Sequence, residues 1–127
     1  MEQRFLIDTN VIIDALGTVM PVKTKKFIAG LTPVVSAVTY METLGWHKAS
    51  AQQLAPLRLF MDAATILPID QSIVEQTVLV RQQKKILLGD AIIAATALVH
   101  NLTLMTRNIN DFKNIEGLKT LDPWHLQ

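Results

Sequence analysis

Phe5-Leu6-Ile7-Asp8-Thr9-Asn10-Val11-Ile12-Ile13 decides how this chain folds. Arg4 to Ile7 is a short, mainly apolar run that reads as a strand. Asp8-Thr9-Asn10 is a cluster of side chains suited to accept hydrogen bonds from the free amides at a helix N-terminus. Val11 to Leu16 then reads as a short helix ending near Gly17. A strand passing directly into a helix opens a βα unit, and Asp8 falls at the carboxyl end of that strand, where ligand sites form in open parallel sheets.

The same alternation continues outward from this stretch. Lys23 to Ala29 reads as a helix stopped by Gly30, and Pro33 to Val35 as a short buried strand. A helix is expected from about Ser36 to Ser50 and another from Ala51 to Ala63, where Pro56 predicts a late start or a bend. Thr65 to Ile69 is the next strand, after which Asp70 or Ser72 can cap a helix running to about Lys85. Asp90 to His100 is almost wholly apolar and reads as a helix buried on most faces. Leu102 to Thr106 and a short segment around Lys119 to Leu121 complete the strands. Strands alternating with helices predict an α/β protein, a three-layer α/β/α arrangement around a mainly parallel sheet. The chain has 127 residues and shows no repeat or linker, which fits one domain over 1–127.

Half of the residues (50%) are hydrophobic, enough for a core without covalent staples. Cysteine is absent, which excludes disulfides and thiolate zinc sites and fits a reducing cytoplasm. Met1-Glu2-Gln3-Arg4 leads into the first strand and not into a signal peptide. Ala91 to Val99 is the longest apolar stretch and is too short to span a bilayer. A cytoplasmic protein with no membrane partner is expected. The formal net charge of +1 gives no sign of a strongly basic nucleic-acid binder. Lys23, Lys25 and Lys26 read as a solvated helix face, whereas Arg81, Lys84 and Lys85 lie just upstream of Asp90.

The candidate chemistry rests on Asp8, Glu42, Asp90 and Asp111, each beside or inside an apolar run. Taken alone, Asp8 and Asp90 fit helix N-caps, and Asp111 fits a turn in an Asn/Asp-rich loop. Glu42 resists such an explanation: it sits mid-helix with Val38, Thr39 and Trp46 on its face, and glutamate is rarely buried without a partner. If the fold gathers these acids, like charges ~4 Å apart repel by roughly 4 kcal/mol at an effective dielectric of 20. A hard, oxygen-seeking divalent cation turns that repulsion into a binding site, and such sites hydrolyse phosphodiesters. Asp70 is explained by capping, and Asp14, Asp62, Glu75, Glu116 and Asp122 by solvated faces or turns. His47, His100 and His125 lack metal-ligand spacing, and Trp46 reads as a core or interface residue. Phosphate loops, nucleophile elbows and dinucleotide fingerprints are absent.

Leu6-Ile7-Asp8-Thr9-Asn10-Val11-Ile12-Ile13, Glu42-Thr43-Leu44-Gly45, Gly89-Asp90-Ala91-Ile92-Ile93-Ala94-Ala95-Thr96-Ala97-Leu98 and Leu104-Met105-Thr106-Arg107-Asn108 with Asp111-Phe112 together resemble PIN-domain ribonucleases. The nearest subgroup is the VapC-type toxins of prokaryotic toxin–antitoxin pairs, and the resemblance runs to Leu121-Asp122-Pro123-Trp124. It implies that Asp8, Glu42, Asp90 and Asp111 bind Mg²⁺ or Mn²⁺ and hydrolyse RNA. Thr106 would supply a hydroxyl near Asp8, and Asn108 a neutral oxygen or hydrogen bond. Some relatives have an acid at the position of Asn108, which leaves Asn108 and Asp111 both open as the fourth contributor. Gly89 stands where relatives often have proline, which would loosen the helix start. Arg107 and Lys84 or Lys85 are candidates for gripping flanking phosphates. The resemblance also implies a cognate antitoxin and a homodimer, the latter in keeping with apolar side chains at Trp46, Leu57 and Phe60.

Two other functions compete. A haloacid-dehalogenase-like phosphatase also opens with Asp after its first strand, but its second acid would fall on Asn10, and no following lysine motif is present. A non-catalytic module holding RNA or protein is opposed by the presence of all four acids.

Overall fold

The computed structural model describes residues 4–18 and 20–125. In chain order its elements are β1 (Phe5–Ile7), α1 (Thr9–Ala15), α2 (Val22–Ala29), β2 (Val34–Ser36), α3 (Ala37–Leu44), α4 (Ala51–Ala63), β3 (Thr65–Leu67), α5 (Gln71–Gln83), α6 (Leu88–Val99), β4 (Thr103–Met105), α7 (Ile109–Phe112) and β5 (Thr120–Leu121). A single 3₁₀ turn follows at Pro123–His125. β4 lies between β1 and β5, β2 pairs with β3, and every one of these pairings is parallel. β2 runs beside β1, so the two ladders share one layer.

Strand side chains alternate between faces, and here each face has its own core. Leu6 and Leu104 point into one apolar cluster with Val80 of α5 and Ala91, Ala94 and Ala97 of α6. Their neighbours Ile7, Met105 and Val35 point the other way, into a cluster with Val11 and Ile12 of α1, Ile28 of α2 and Leu57 and Met61 of α4. The result is the expected α/β/α sandwich. The alanines of α6 bring that helix close to the sheet, which places its first turn near the carboxyl ends of the strands.

Several boundaries differ from those expected, each for a local reason. The helix expected to reach Ser50 ends at Leu44, because Gly45 caps it by donating its N–H to the Met41 carbonyl at 2.8 Å. Trp46 therefore leaves the face of Glu42 and is half-buried in the turn beyond. α4 starts at Ala51 without delay although Pro56 lies inside it: Ser50 and Gln53 form a reciprocal capping box that anchors the start. α6 begins at Leu88, so Gly89 lies within its first turn and does not delay it, and Asp90 is a first-turn residue instead of a cap. Asn101 (φ 54°) ends α6 in the left-handed region; its N–H reaches Leu98, and that of Leu102 reaches Ala97. This reversal feeds the chain straight into β4. Asp111 lies on the short helix α7, not in an open loop.

Leu57, expected at a dimer surface, is a core residue only 3% exposed, and Trp46 and Phe60 are half-buried. Exposed apolar side chains occur at Leu59 of α4, at Val74, Val78 and Leu79 of α5 and at Leu87 and Leu88. Among the described residues no helix is long and apolar enough to cross a membrane.

A Cβ at Gly45 would lie 2.5 Å from the Met41 carbonyl oxygen, a backbone atom that cannot swing aside. Gly45→Ala is therefore expected to lower stability by about 1–3 kcal/mol in urea denaturation. An unchanged midpoint would show that the turn relaxes freely.

Candidate active site

Asp8 is the residue at which β1 becomes α1, and it is 4% exposed. Its N–H extends the parallel ladder to the Met105 carbonyl at 3.0 Å. Oδ1 accepts from the Thr9 N–H at 2.8 Å and Oδ2 from the Thr106 hydroxyl, also at 2.8 Å. Asp8 thus caps its helix and is also held from the neighbouring strand. Burial raises its pKa above the ordinary 3.8; the Thr106 and Thr9 hydrogen bonds oppose this, and the charges of Glu42 and Asp111 add to it. Thr106 is fully buried, with its oxygen also accepting from the Asn108 N–H at 3.0 Å. Its hydroxyl is thereby placed against Asp8 and away from solvent.

Glu42 comes from α3 and is exposed, contrary to the expectation of a buried mid-helix acid. Its Oε1 accepts from the Thr9 hydroxyl at 2.7 Å, and that hydroxyl lies 3.2 Å from the hydroxyl of buried Thr39. Oε2 turns toward α6, where a Cβ at Gly89 would sit 3.3 Å away. The absence of a side chain at Gly89 leaves room for this carboxylate beside the first turn of α6. Asp90 is half-buried in that turn, and its pKa is pushed up to about 6, first by desolvation and then by the charges of Asp8, Glu42 and Asp111. Asp111 is exposed on α7.

The four acids therefore reach one region from the end of β1, from α3, from the start of α6 and from α7. A groove of about 560 Å³ is lined by Asp90 and Asp111 together with Arg81 and Lys85. Across α7 a second groove is lined by Arg107, Asn108, Asp111 and His125. Among the described residues the one ion pair is His125–Asp122 at 3.6 Å, so none of the four acids is neutralised by a side-chain cation. Nor do any three of them already stand within a common coordination shell. Oxygen-only donors, one of them buried without a counter-charge, fit a hard divalent cation.

The basic candidates divide. The Arg107 guanidinium stacks 4.0 Å over the Trp124 ring while remaining exposed beside the second groove. Lys84 is committed to the backbone carbonyls of Asn110, Asp111 and Lys113, so it is not free to grip a phosphate. Lys85 is exposed. Asn108 is also exposed, with its side chain unused as a cap for α7. The tie from Thr9 to Glu42 escaped sequence reading. Its only sequence signal was a hydroxyl immediately after Asp8, and capping already explained that cluster.

A parallel α/β/α fold with an acidic cleft at its carboxyl edge defines a class of nuclease-like domains. The PIN domain family model matches residues 5–118. A toxin–antitoxin complex from Klebsiella pneumoniae contains a chain 32% identical, with 98% of this chain and 100% of that one covered and a TM-score of 0.78. FitAcB from Neisseria gonorrhoeae is 27% identical over 96% of this chain and 99% of its own, with a TM-score of 0.79. Ribonuclease VapC1 of Rickettsia felis is 53% identical over 32 residues, which is 25% of this chain and 24% of that protein's length. The chain belongs to the PIN-domain family, among its VapC-type toxin members.

Because its folded pKa is about 6 against an ordinary 3.8, Asp90 holds a proton on folding that the unfolded chain releases. The native state binds more protons across that window, so this group lowers stability as pH rises through it; Asp8 acts with the same sign. Without metal, Asp90→Asn should match the parent's melting temperature near pH 4 and equal or exceed it at pH 7. A variant that melts lower at pH 7 than at pH 4, relative to the parent, would contradict the repulsion.

Proposed function

We propose that this chain is a metal-dependent endoribonuclease, the toxin of a toxin–antitoxin pair, with Asp8, Glu42, Asp90 and Asp111 holding Mg²⁺ or Mn²⁺. The observation that carries the proposal is the gathering of four carboxylates from four elements without a neutralising side chain. The relatives named as a ribonuclease and as a toxin–antitoxin complex supply the substrate class and the partner. Asp111 is preferred to Asn108 as the fourth group because its charge is felt by both Asp8 and Asp90.

A divalent cation bound in such a site supplies charge for the scissile phosphate and acidity for the attacking water. The chain's own part is position. Asp8 is fixed on both oxygens, by Thr9 and by Thr106, and so enters the reaction already ordered. Thr9 holds one oxygen of Glu42 and leaves the other facing α6. The polyanionic substrate would be repelled by the acids alone. Arg81 and Lys85 on one groove and Arg107 on the other are placed to take the flanking phosphates. Stacking on Trp124 restricts Arg107 before substrate arrives.

The antitoxin is proposed to cover this cleft and set a basic side chain among the acids. The homodimer is proposed to use the exposed apolar residues of α5, Val74, Val78 and Leu79. A strict monomer by light scattering, from micromolar to millimolar protein, would rule that dimer out.

The decisive assay is Mg²⁺- or Mn²⁺-dependent cleavage of total cellular RNA, with EDTA as control. Asp90→Asn should cut the rate by about 100-fold or more, since charge is lost while size is kept. Full cleavage by that variant would remove Asp90 from the site, and EDTA-resistant cleavage by the parent would refute the metal mechanism.

A further inference from the structure

α7 carries Asp111 but has little to hold it in place. It spans only Ile109–Phe112, and Asn108 gives it no side-chain cap. So short a helix leaves most of its carbonyls without partners inside it. The end of α5 supplies those partners. Lys84, the first residue after α5, donates from Nζ to the carbonyl oxygens of Asp111 at 2.9 Å, Lys113 at 3.1 Å and Asn110 at 3.4 Å. An ammonium has three hydrogens, so its donor capacity is filled. Next to it, Gln83 Oε1 accepts from the Glu116 N–H at 2.9 Å. Two consecutive side chains thus clasp the segment from Asn110 to Glu116.

We propose that Lys84 is a positioning residue for the acidic site, fixing the backbone of Asp111 relative to Asp90. The inference rests on the reading of Asp111 as a metal-holding group. Lys84 precedes the start of α6 by a short connection, and α5 packs along α6, so its anchor moves with Asp90. The other end of α7 is tied to Asp8 through Thr106, whose oxygen receives the Asn108 N–H. The choice of carbonyl acceptors matters. A lysine paired with the Asp111 carboxylate would compete with a cation, and among the described residues no such ion pair forms. Bound to carbonyls, the same ammonium holds the residue and leaves its carboxylate free for the cleft.

Lys84→Met keeps the apolar stem and removes all three donors, whereas Lys84→Arg keeps charge and donors. Calorimetric titration of the full chain with Mn²⁺, without RNA, should show Lys84→Met weakening binding by about tenfold or more. Lys84→Arg should recover most of that loss. Amide exchange at Lys113, whose N–H bonds Ile109, should quicken in Lys84→Met while the amides of α6 stay protected. If Lys84→Met does not fold, Lys84→Leu, which also lacks any donor, gives the same comparison. A purely structural lysine would lower the melting temperature and leave the Mn²⁺ affinity of the folded variant within about twofold of the parent; that result would overturn the proposal. A parent that binds no Mn²⁺ would overturn the metal reading itself. Faster exchange at Lys113 would then show a clasp that serves no such site.

Discussion

A carboxylate buried at the carboxyl end of β1 sets the terms for the rest of the molecule. Taking an ionised group out of water costs several kcal/mol unless other groups replace the lost hydration. Asp8 is 4% exposed and receives one hydrogen bond on each oxygen, which opposes that cost without cancelling it. The donor from Thr106 exists only because β4 lies beside β1 in parallel register, with Ile7 opposite Met105. Strand order, the helix start at Thr9 and the loop after β4 are thus conditions on one side chain. Glu42, Asp90 and Asp111 then add negative charge around it and raise its need for a cation.

The charge pattern explains why bulk composition was a poor guide. A net charge of +1 hides grooves in which the acids Asp90 and Asp111 stand with the cations Arg81, Lys85 and Arg107. Such an arrangement attracts a polyanion at its basic groups and repels it at its acids until a metal cation intervenes. Averaged over the chain, these opposite fields cancel.

The fold was legible because period-two and period-3.6 patterns differ strongly along this chain. Leu6 and Ile7 serve opposite cores, and Ala91, Ala94 and Ala97 mark one side of α6. Boundaries were less legible where one glycine or cap decides them: Gly45 stops α3 early, and Leu87 starts α6 without any polar cap to announce it. The acids could be picked out from their flanks, but their surroundings could not. Glu42 shares a helix face with buried Val38 and Thr39 yet is itself exposed, and Trp46, expected on that face, belongs to the turn beyond the helix. The grip of Lys84 on α7 left no trace in the sequence, since backbone carbonyls are the same at every position.

The pairing of β1 with β4 also sets a timetable for synthesis. The hydrogen bond that completes the surroundings of Asp8 joins residues 98 positions apart. Chains are made from the N-terminus, and the first half, with Asp8 and Glu42, leaves the ribosome while Thr106 and Asp111 are still missing. Non-local closure of this kind comes late in folding. The acidic cleft is therefore assembled only as the last strands arrive, well after its first two acids have been made.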